Sequence, residues 1–409
     1  MSISRRAHRP TIILAALLLA PSVFAVPGDL LSITTEGRLS VSGVEELTDP
    51  LFDGSPNALY EVDVYWVSFE TTDIDGSAAE VRAQLFVPVL DNPEILPLYV
   101  FGPGSTGLVN PCRPSREHIA GIRWGLYRAH VVSHVAQGAI GVLPDYVGFE
   151  DASRIQPYFV AVSEGRMMLD AVRAAQRFYR TNPTPAIPSP RAILAGYSQG
   201  GHAAFAAADL RATYAPELQL GGIVGYGATT DMRALFLEFV VSAPLVIHVY
   251  SQLYGTQQFN PRASLQDRWA DSLAEDVTTQ CIGGIQSYYP WDPGELYRPA
   301  FLRALRDDEL QRAYPRIHEV MQANSTGLTG HGVPVLLLQG TEDIVVREAS
   351  QARFARRLCG QGSRVLYRVF QGARHDTRQI GFNEVRDWMR DRVRGTVAPA
   401  NCASLEEQQ

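Results

Sequence analysis

Gly196-Tyr-Ser-Gln-Gly200 is the stretch of this chain with the clearest capacity for chemistry. Ser198 stands at the centre of a Gly-x-Ser-x-Gly pattern, after an apolar run at 191–195 and before a run of small residues at 200–208. A serine placed so sits on a tight strand-to-helix turn that raises its hydroxyl, and the flanking glycines relieve the crowding. The helix N-terminus behind it favours developing negative charge. A glycine-rich packing turn shares the bare pattern; the strand before and the helix after favour a nucleophile.

A serine nucleophile needs a base, and the base needs an orienting acid. On this kind of turn the chain order is Ser, then Asp or Glu, then His. Of the nine histidines, His248, His318, His331 and His375 lie beyond the helix that follows Ser198. His375 closes Phe370-Gln-Gly-Ala-Arg-His375, a glycine-bearing loop after the last predicted strand, and is the expected base. His331 is the second choice, and His318 reads as a solvated residue among charged neighbours. Gln339-Gly-Thr-Glu-Asp343 ends the preceding strand and offers Asp343 as the acid, with Glu342 as rival. Acyl transfer also needs two donors for the oxyanion. The N–H of Gln199 is one, and the loop Gly102-Pro-Gly-Ser-Thr-Gly107 should supply the other. Pro103 has no N–H, which leaves Gly104 or Ser105. His202, four residues after Ser198, reads as a packing or hydrogen-bonding residue. His130 and His134 share a helical face at metal-like spacing but lack a third ligand, so no metal is expected. No organic cofactor is expected either.

The elements that must position these groups alternate. Runs at 61–70 and 81–89, joined by the turn Asp73-Ile-Asp-Gly76, predict a hairpin. Short apolar runs at 98–101, 139–143, 191–195, 222–226, 333–339 and 365–370 read as buried strands. Helices are predicted over 118–137, 160–179, 199–214, 347–358 and 378–393. Alternation of this kind means an α/β fold with a mostly parallel sheet covered on both faces. The antiparallel start suggests an α/β-hydrolase-type sheet. The rhythm fails over 229–330, where apolar helical pieces at 232–249, 264–278 and 305–323 lie between glycine- and proline-bearing loops. This stretch is expected to form an inserted helical cap, leaving 26–228 and 331–409 as the core.

Composition narrows the classes further. All 36 basic residues are arginine. Without a lysine the chain cannot be a P-loop enzyme, a protein kinase or a Schiff-base enzyme. A net charge of −7 leaves no basic footprint for nucleic acid. Arg5, Arg6 and Arg9 precede an apolar run at 11–24, and Val23 and Ala25 suit cleavage after Ala25, so residues 1–25 read as a signal peptide. Export, to the periplasm or outside, makes the four cysteines readable as disulfides. Of the three possible connectivities the expected one is Cys112–Cys281 with Cys359–Cys402, the latter two sharing the C-terminal part.

Gly104-Ser-Thr-Gly107, Cys112-Arg-Pro-Ser115, Pro144-Asp-Tyr-Val-Gly148, Gly196-Tyr-Ser-Gln-Gly-Gly-His202 and Gly340-Thr-Glu-Asp343 together resemble the secretory lipase family, the fungal lipase A-like group with its bacterial members. The resemblance runs from about residue 59 to residue 402. It implies an α/β-hydrolase core, a helical lid matching the insertion, and carboxylic ester hydrolysis. It carries the triad onto Ser198, Asp343 and His375, agrees with both disulfide pairs and implies an oxyanion donor at Gly104. Bacterial members often carry a His before that glycine, where this chain has Pro103. A small-molecule or lipid ester is the expected partner, with transient lipid-interface contact through the cap and no stable protein partner. Three rivals stand beside this reading: an exo-acting serine peptidase, an acyltransferase, and a non-catalytic binding protein on the same fold.

Overall fold

The computed structural model describes residues 26–52 and 56–406. The signal segment read at 1–25 lies outside the described residues. Nine strands form one sheet: β1 (Leu30–Leu39), β2 (Val62–Thr72), β3 (Ala78–Pro88), β4 (Leu98–Gly102), β5 (Ile140–Pro144), β6 (Arg191–Tyr197), β7 (Gln219–Tyr226), β8 (Val335–Gly340) and β9 (Val365–Phe370). Their spatial order is β1-β2-β3-β5-β4-β6-β7-β8-β9. The first three pairings are antiparallel and the remainder parallel.

Parallel strands are buried on both faces, which is why β4, β5 and β8 read as unbroken apolar runs. The two-residue period divides their side chains. Val100, Val142, Leu194, Ile223 and Leu337 pack with helices α2 (Ala161–Thr181), α3 (Gln199–Tyr214) and α9 (Glu348–Gly360). Tyr99, Phe101, Ile193, Val224, Leu336 and Leu338 face the other way, onto α1 (Tyr127–Val135) and α10 (Phe382–Val393). The sheet is thus the central layer of a three-layer α/β domain.

Between β7 and β8 the chain is helical: α4 (Met232–Glu238), α5 (Ala243–Leu253), α6 (Asp267–Thr279), α7 (Pro299–Arg306) and α8 (Pro315–Ala323), with a further helix at Ile282–Tyr288 and single turns between them. These helices bury a core of their own, into which Leu108, Tyr158 and Phe159 reach from the sheet side. The two ends of the segment meet, the N–H of Thr326 donating to the carbonyl of Thr230 at 2.9 Å.

Several helices are shorter than the apolar pattern suggests. The helix predicted over 118–137 is two pieces, Glu117–Ala120 and α1, because Gly121 ends the first in the left-handed region at φ 66° and Leu126 enters the second at φ 52°. The piece at 232–249 breaks at Phe239, and Pro244 occupies the first turn of α5, where its missing N–H costs nothing. The piece at 305–323 ends at Arg306 and resumes as α8 at Pro315, with one turn at Leu310–Ala313 between. Strand β1 was not predicted. It is an exposed edge strand of mixed polarity, and no apolar alternation marks it.

Two disulfides join Cys112 to Cys281 and Cys359 to Cys402. The first ties the loop after β4 to the helical segment, and the second ties α9 to the C-terminal turn.

Candidate active site

Ser198 lies between β6 and α3 with φ 55° and ψ −112°, a left-handed conformation that a non-glycine residue rarely adopts. The backbone around it holds that strain. Its N–H donates to the carbonyl of Tyr226 at 3.0 Å, and its own carbonyl accepts from Gly201 at 3.0 Å and Thr229 at 3.2 Å. Three glycines let the chain fold this closely. A Cβ on Gly196 would come within 1.9 Å of the Gly200 backbone, and one on Gly200 within 1.8 Å of the Gly102 carbonyl oxygen. The Gly-x-Ser-x-Gly pattern is therefore a packing requirement between β6, α3 and the end of β4.

His375 follows β9, and its Nδ1 meets Oδ2 of Asp343 at 2.8 Å. Asp343 follows β8 in a fixed cradle. Its Oδ1 accepts from the N–H groups of Val345 and Val346 at 2.8 and 2.9 Å, and the Gln339 amide donates to Oδ2 at 3.1 Å. Glu342 points to solvent. The Asp343 bond assigns the proton of His375 to Nδ1, leaving Nε2 as the basic nitrogen; Nε2 is buried and has no hydrogen-bond partner among the described residues. The ring lies on Tyr197 with centroids 4.9 Å apart. Gly227 makes room for it at φ 51°: a Cβ there would sit 2.8 Å from Nδ1 and 2.9 Å from Cε1.

Ser198 and His375 line one cavity of about 160 Å³. Its walls are Tyr127, Tyr197 and Trp124 from the core, and Phe239, Ile282 and Gln286 from the helical segment. Ser105 also faces it, its hydroxyl 2.6 Å from that of Tyr158. Arg123 lines the same cavity, is exposed, and has no carboxylate partner among the described residues. The loop carrying Gly104 is held by Tyr146, whose hydroxyl donates to the Pro103 carbonyl at 2.6 Å. A Cβ on Gly104 would come within 2.8 Å of both Tyr127 and Tyr197. Gln199 opens α3, so its N–H has no partner within the helix.

Beside Tyr197 lies a charged pair. Arg378 is fully buried, donates to Asp376, and stacks 4.5 Å over the Tyr197 ring. Burial alone would raise the Asp376 carboxyl, but Arg378 brings it below the usual carboxylate range. Neither residue stood out in the sequence. His130 and His134 are packed among Tyr99, Phe101 and Phe382. Burial pushes His134 down to about 3 and His130 well below its ordinary value, so both are neutral core residues. His331 accepts from the N–H of Val333 through Nδ1 and takes no part in the cavity. Among the described residues no group of three or more His, Cys, Asp or Glu could hold a metal ion.

A strained serine between a parallel strand and a helix, with His and Asp on the loops after the last two strands, is the arrangement of an α/β-hydrolase. The chain belongs to the secretory lipase family, whose model matches residues 115–401, and so to the carboxylic ester hydrolases. It is 23% identical over 391 residues to the secreted triacylglycerol lipase LIP7 of Malassezia globosa, covering 90% of this chain and 79% of that one. The crystal structure of the rice cell wall degrading esterase LipA from Xanthomonas oryzae superposes with a TM-score of 0.69 at 19% identity, covering 90% of this chain and 97% of that chain. Candida antarctica lipase A superposes with a TM-score of 0.69 at 18% identity, covering 92% and 84%. At these identities the two structures attest the fold.

Proposed function

We propose that the protein is an exported esterase that works through an acyl-enzyme on Ser198. The observation that carries the reading is the His375–Asp343 hydrogen bond at the edge of the cavity that Ser198 lines. Nε2 of His375 takes the Ser198 proton as Oγ attacks the ester carbonyl. The oxyanion forms against the N–H groups of Gln199 and Gly104. The imidazolium, stabilised by Asp343, gives its proton to the departing alcohol. Water activated by His375 then attacks the acyl-enzyme, and the acid leaves. Asp343 fixes the tautomer of the ring and stays ionised throughout.

The helical segment at 229–330 acts as a lid, since Phe239, Ile282, Gly283 and Gln286 supply one wall of the cavity. A cavity of about 160 Å³ with aromatic walls suits a compact ester better than a long acyl chain. Arg123 would meet a substrate that carries a negative charge close to the scissile bond.

The test is hydrolysis of a p-nitrophenyl ester series from short to long acyl chains, with monoesters of a dicarboxylic acid as the charged members. Ser198→Ala should abolish turnover on all of them, and a fluorophosphonate probe should label the native protein at Ser198. Activity in purified Ser198→Ala would overturn the reading. Equal turnover of matched aminoacyl amides would replace the esterase by a peptidase.

A further inference from the structure

Glu164 is 2% exposed and stands in the first turn of α2, without a counterpart in the triad chemistry. Its carboxylate is nevertheless fully engaged. Oε1 accepts from the Gln199 side-chain amide at 2.7 Å and from the N–H of Phe159 at 2.9 Å. Oε2 lies 2.5 Å from Nδ1 of His202, a ring with no solvent exposure. On the far side of that ring Nε2 lies 2.7 Å from the carbonyl oxygen of Asn324. Both ring nitrogens thus face oxygen atoms, and the ring bridges the buried Glu164 carboxyl and the Asn324 carbonyl.

What this pair joins matters more than its own energy. Gln199 opens the nucleophile's helix. Asn324 caps the last helix of the lid at the point where the chain returns to β8. The Asn324 side chain is held in turn, its Oδ1 accepting from the N–H of Ala161 at 3.1 Å and its Nδ2 donating to the Val320 carbonyl at 2.9 Å. Phe159 is a second junction. It holds a left-handed backbone at φ 55°, its N–H goes to Glu164, and its carbonyl accepts from Tyr250 of the lid at 2.7 Å. One buried carboxylate therefore touches the residue after Ser198, and through His202 and Phe159 it touches two helices of the lid.

We propose that Glu164 and His202 are positioning residues that set the N–H of Gln199 for the oxyanion and register it against the closed lid. Neither touches substrate. The inference rests on the reading of Ser198 as nucleophile and of the Gln199 N–H as oxyanion donor. Removing one oxyanion donor costs about 10²–10³ in rate, which bounds the effect of misplacing this one.

Glu164→Gln keeps the shape of the side chain and removes its charge. It should lower kcat on a p-nitrophenyl ester by about 10- to 100-fold, within that bound, with KM within about twofold of native. Gln199→Ala cuts the tie from the other end while keeping the backbone N–H. Glu164→Gln combined with Gln199→Ala should be no slower than the worse single variant, because both break one connection. Glu164→Asp, charged but shorter, should regain part of the lost kcat. A purely structural role predicts something else: melting temperature and kcat falling together, with the two substitutions multiplying. That outcome, or native kcat in Glu164→Gln, overturns the proposal. Ser198→Ala run beside these variants separates the two levels. If it is inactive while Glu164→Gln is native, only the positioning role falls; if it is active, the nucleophile assignment falls first.

Discussion

Ser115 holds both carboxylate oxygens of Asp145, its N–H donating to Oδ1 at 2.8 Å and its hydroxyl to Oδ2 at 2.5 Å. These residues belong to Cys112-Arg-Pro-Ser115 and Pro144-Asp-Tyr-Val-Gly148, two motifs far apart in the chain that prove to be one contact. Asp145 also follows β5 directly, and Tyr146 beside it anchors the Pro103 carbonyl. The contact thus sets the loop that carries Gly104.

Burial raises the Asp145 carboxyl to about 7 despite the Ser115 hydrogen bonds, which lower it. In the unfolded chain an aspartate titrates near about 3.9. Between about pH 4 and 7 the folded protein keeps a proton that the unfolded chain has lost. Stability therefore falls as pH rises through that window, by at most about 1.4 kcal/mol per pH unit from this group. Asp145→Asn should flatten that part of the profile. Urea unfolding midpoints from pH 4 to 8 check it, and parallel curves for the two proteins would count against it.

Asp343→Asn should cost about four orders of magnitude in kcat with the fold intact, since an amide in that cradle stabilises the wrong tautomer of His375. Glu342→Gln should be close to native, its side chain being exposed. Steady-state kinetics on one ester settle both, and the reverse result would move the acid to Glu342.

Gly227→Ala should push the His375 ring off Asp343, because the new methyl would sit 2.8 Å from Nδ1. The left-handed backbone adds about 1–2 kcal/mol of destabilisation. The expected result is a kcat at least about tenfold lower, with KM little changed and a modest drop in melting temperature. Native kcat would mean that the ring has another route to the same position.

The strand-to-helix turn at Ser198 was legible because its signals are local: an apolar strand, a glycine-flanked serine and a helix of small residues follow one another directly. Asp343 and His375 were legible through chain order and strand ends, and the structure puts the two side chains in contact. Gly227 carried no local signal, since its reason is a histidine on a loop much later in the chain. Glu164 read as one more polar residue on an amphipathic helix; only the tertiary fold turns it toward Gln199 and His202. The helices between β7 and β8 were read as three pieces, of which the structure divides the first and the last further. The breaks fall at Phe239 and at Tyr314, where the backbone leaves the helical region, the second just before Pro315. Edge strand β1 escaped because a strand exposed over most of its length need not alternate in polarity.

The disulfide between Cys112 and Cys281 fastens one wall of the cavity. Ile282, Gly283 and Gln286 follow Cys281 immediately in the cavity wall, and the N–H of Ile282 is bonded to the Thr106 carbonyl at 2.9 Å. These residues are therefore tied to the loop that bears Gly104. Phe239, in the same cavity wall, packs 5.7 Å from the half-exposed ring of Trp291, whose indole N–H donates to the Gln286 carbonyl at 3.2 Å. The helical wall of the cavity is thus held to the Gly104 loop by a covalent bond as well as by its own packing.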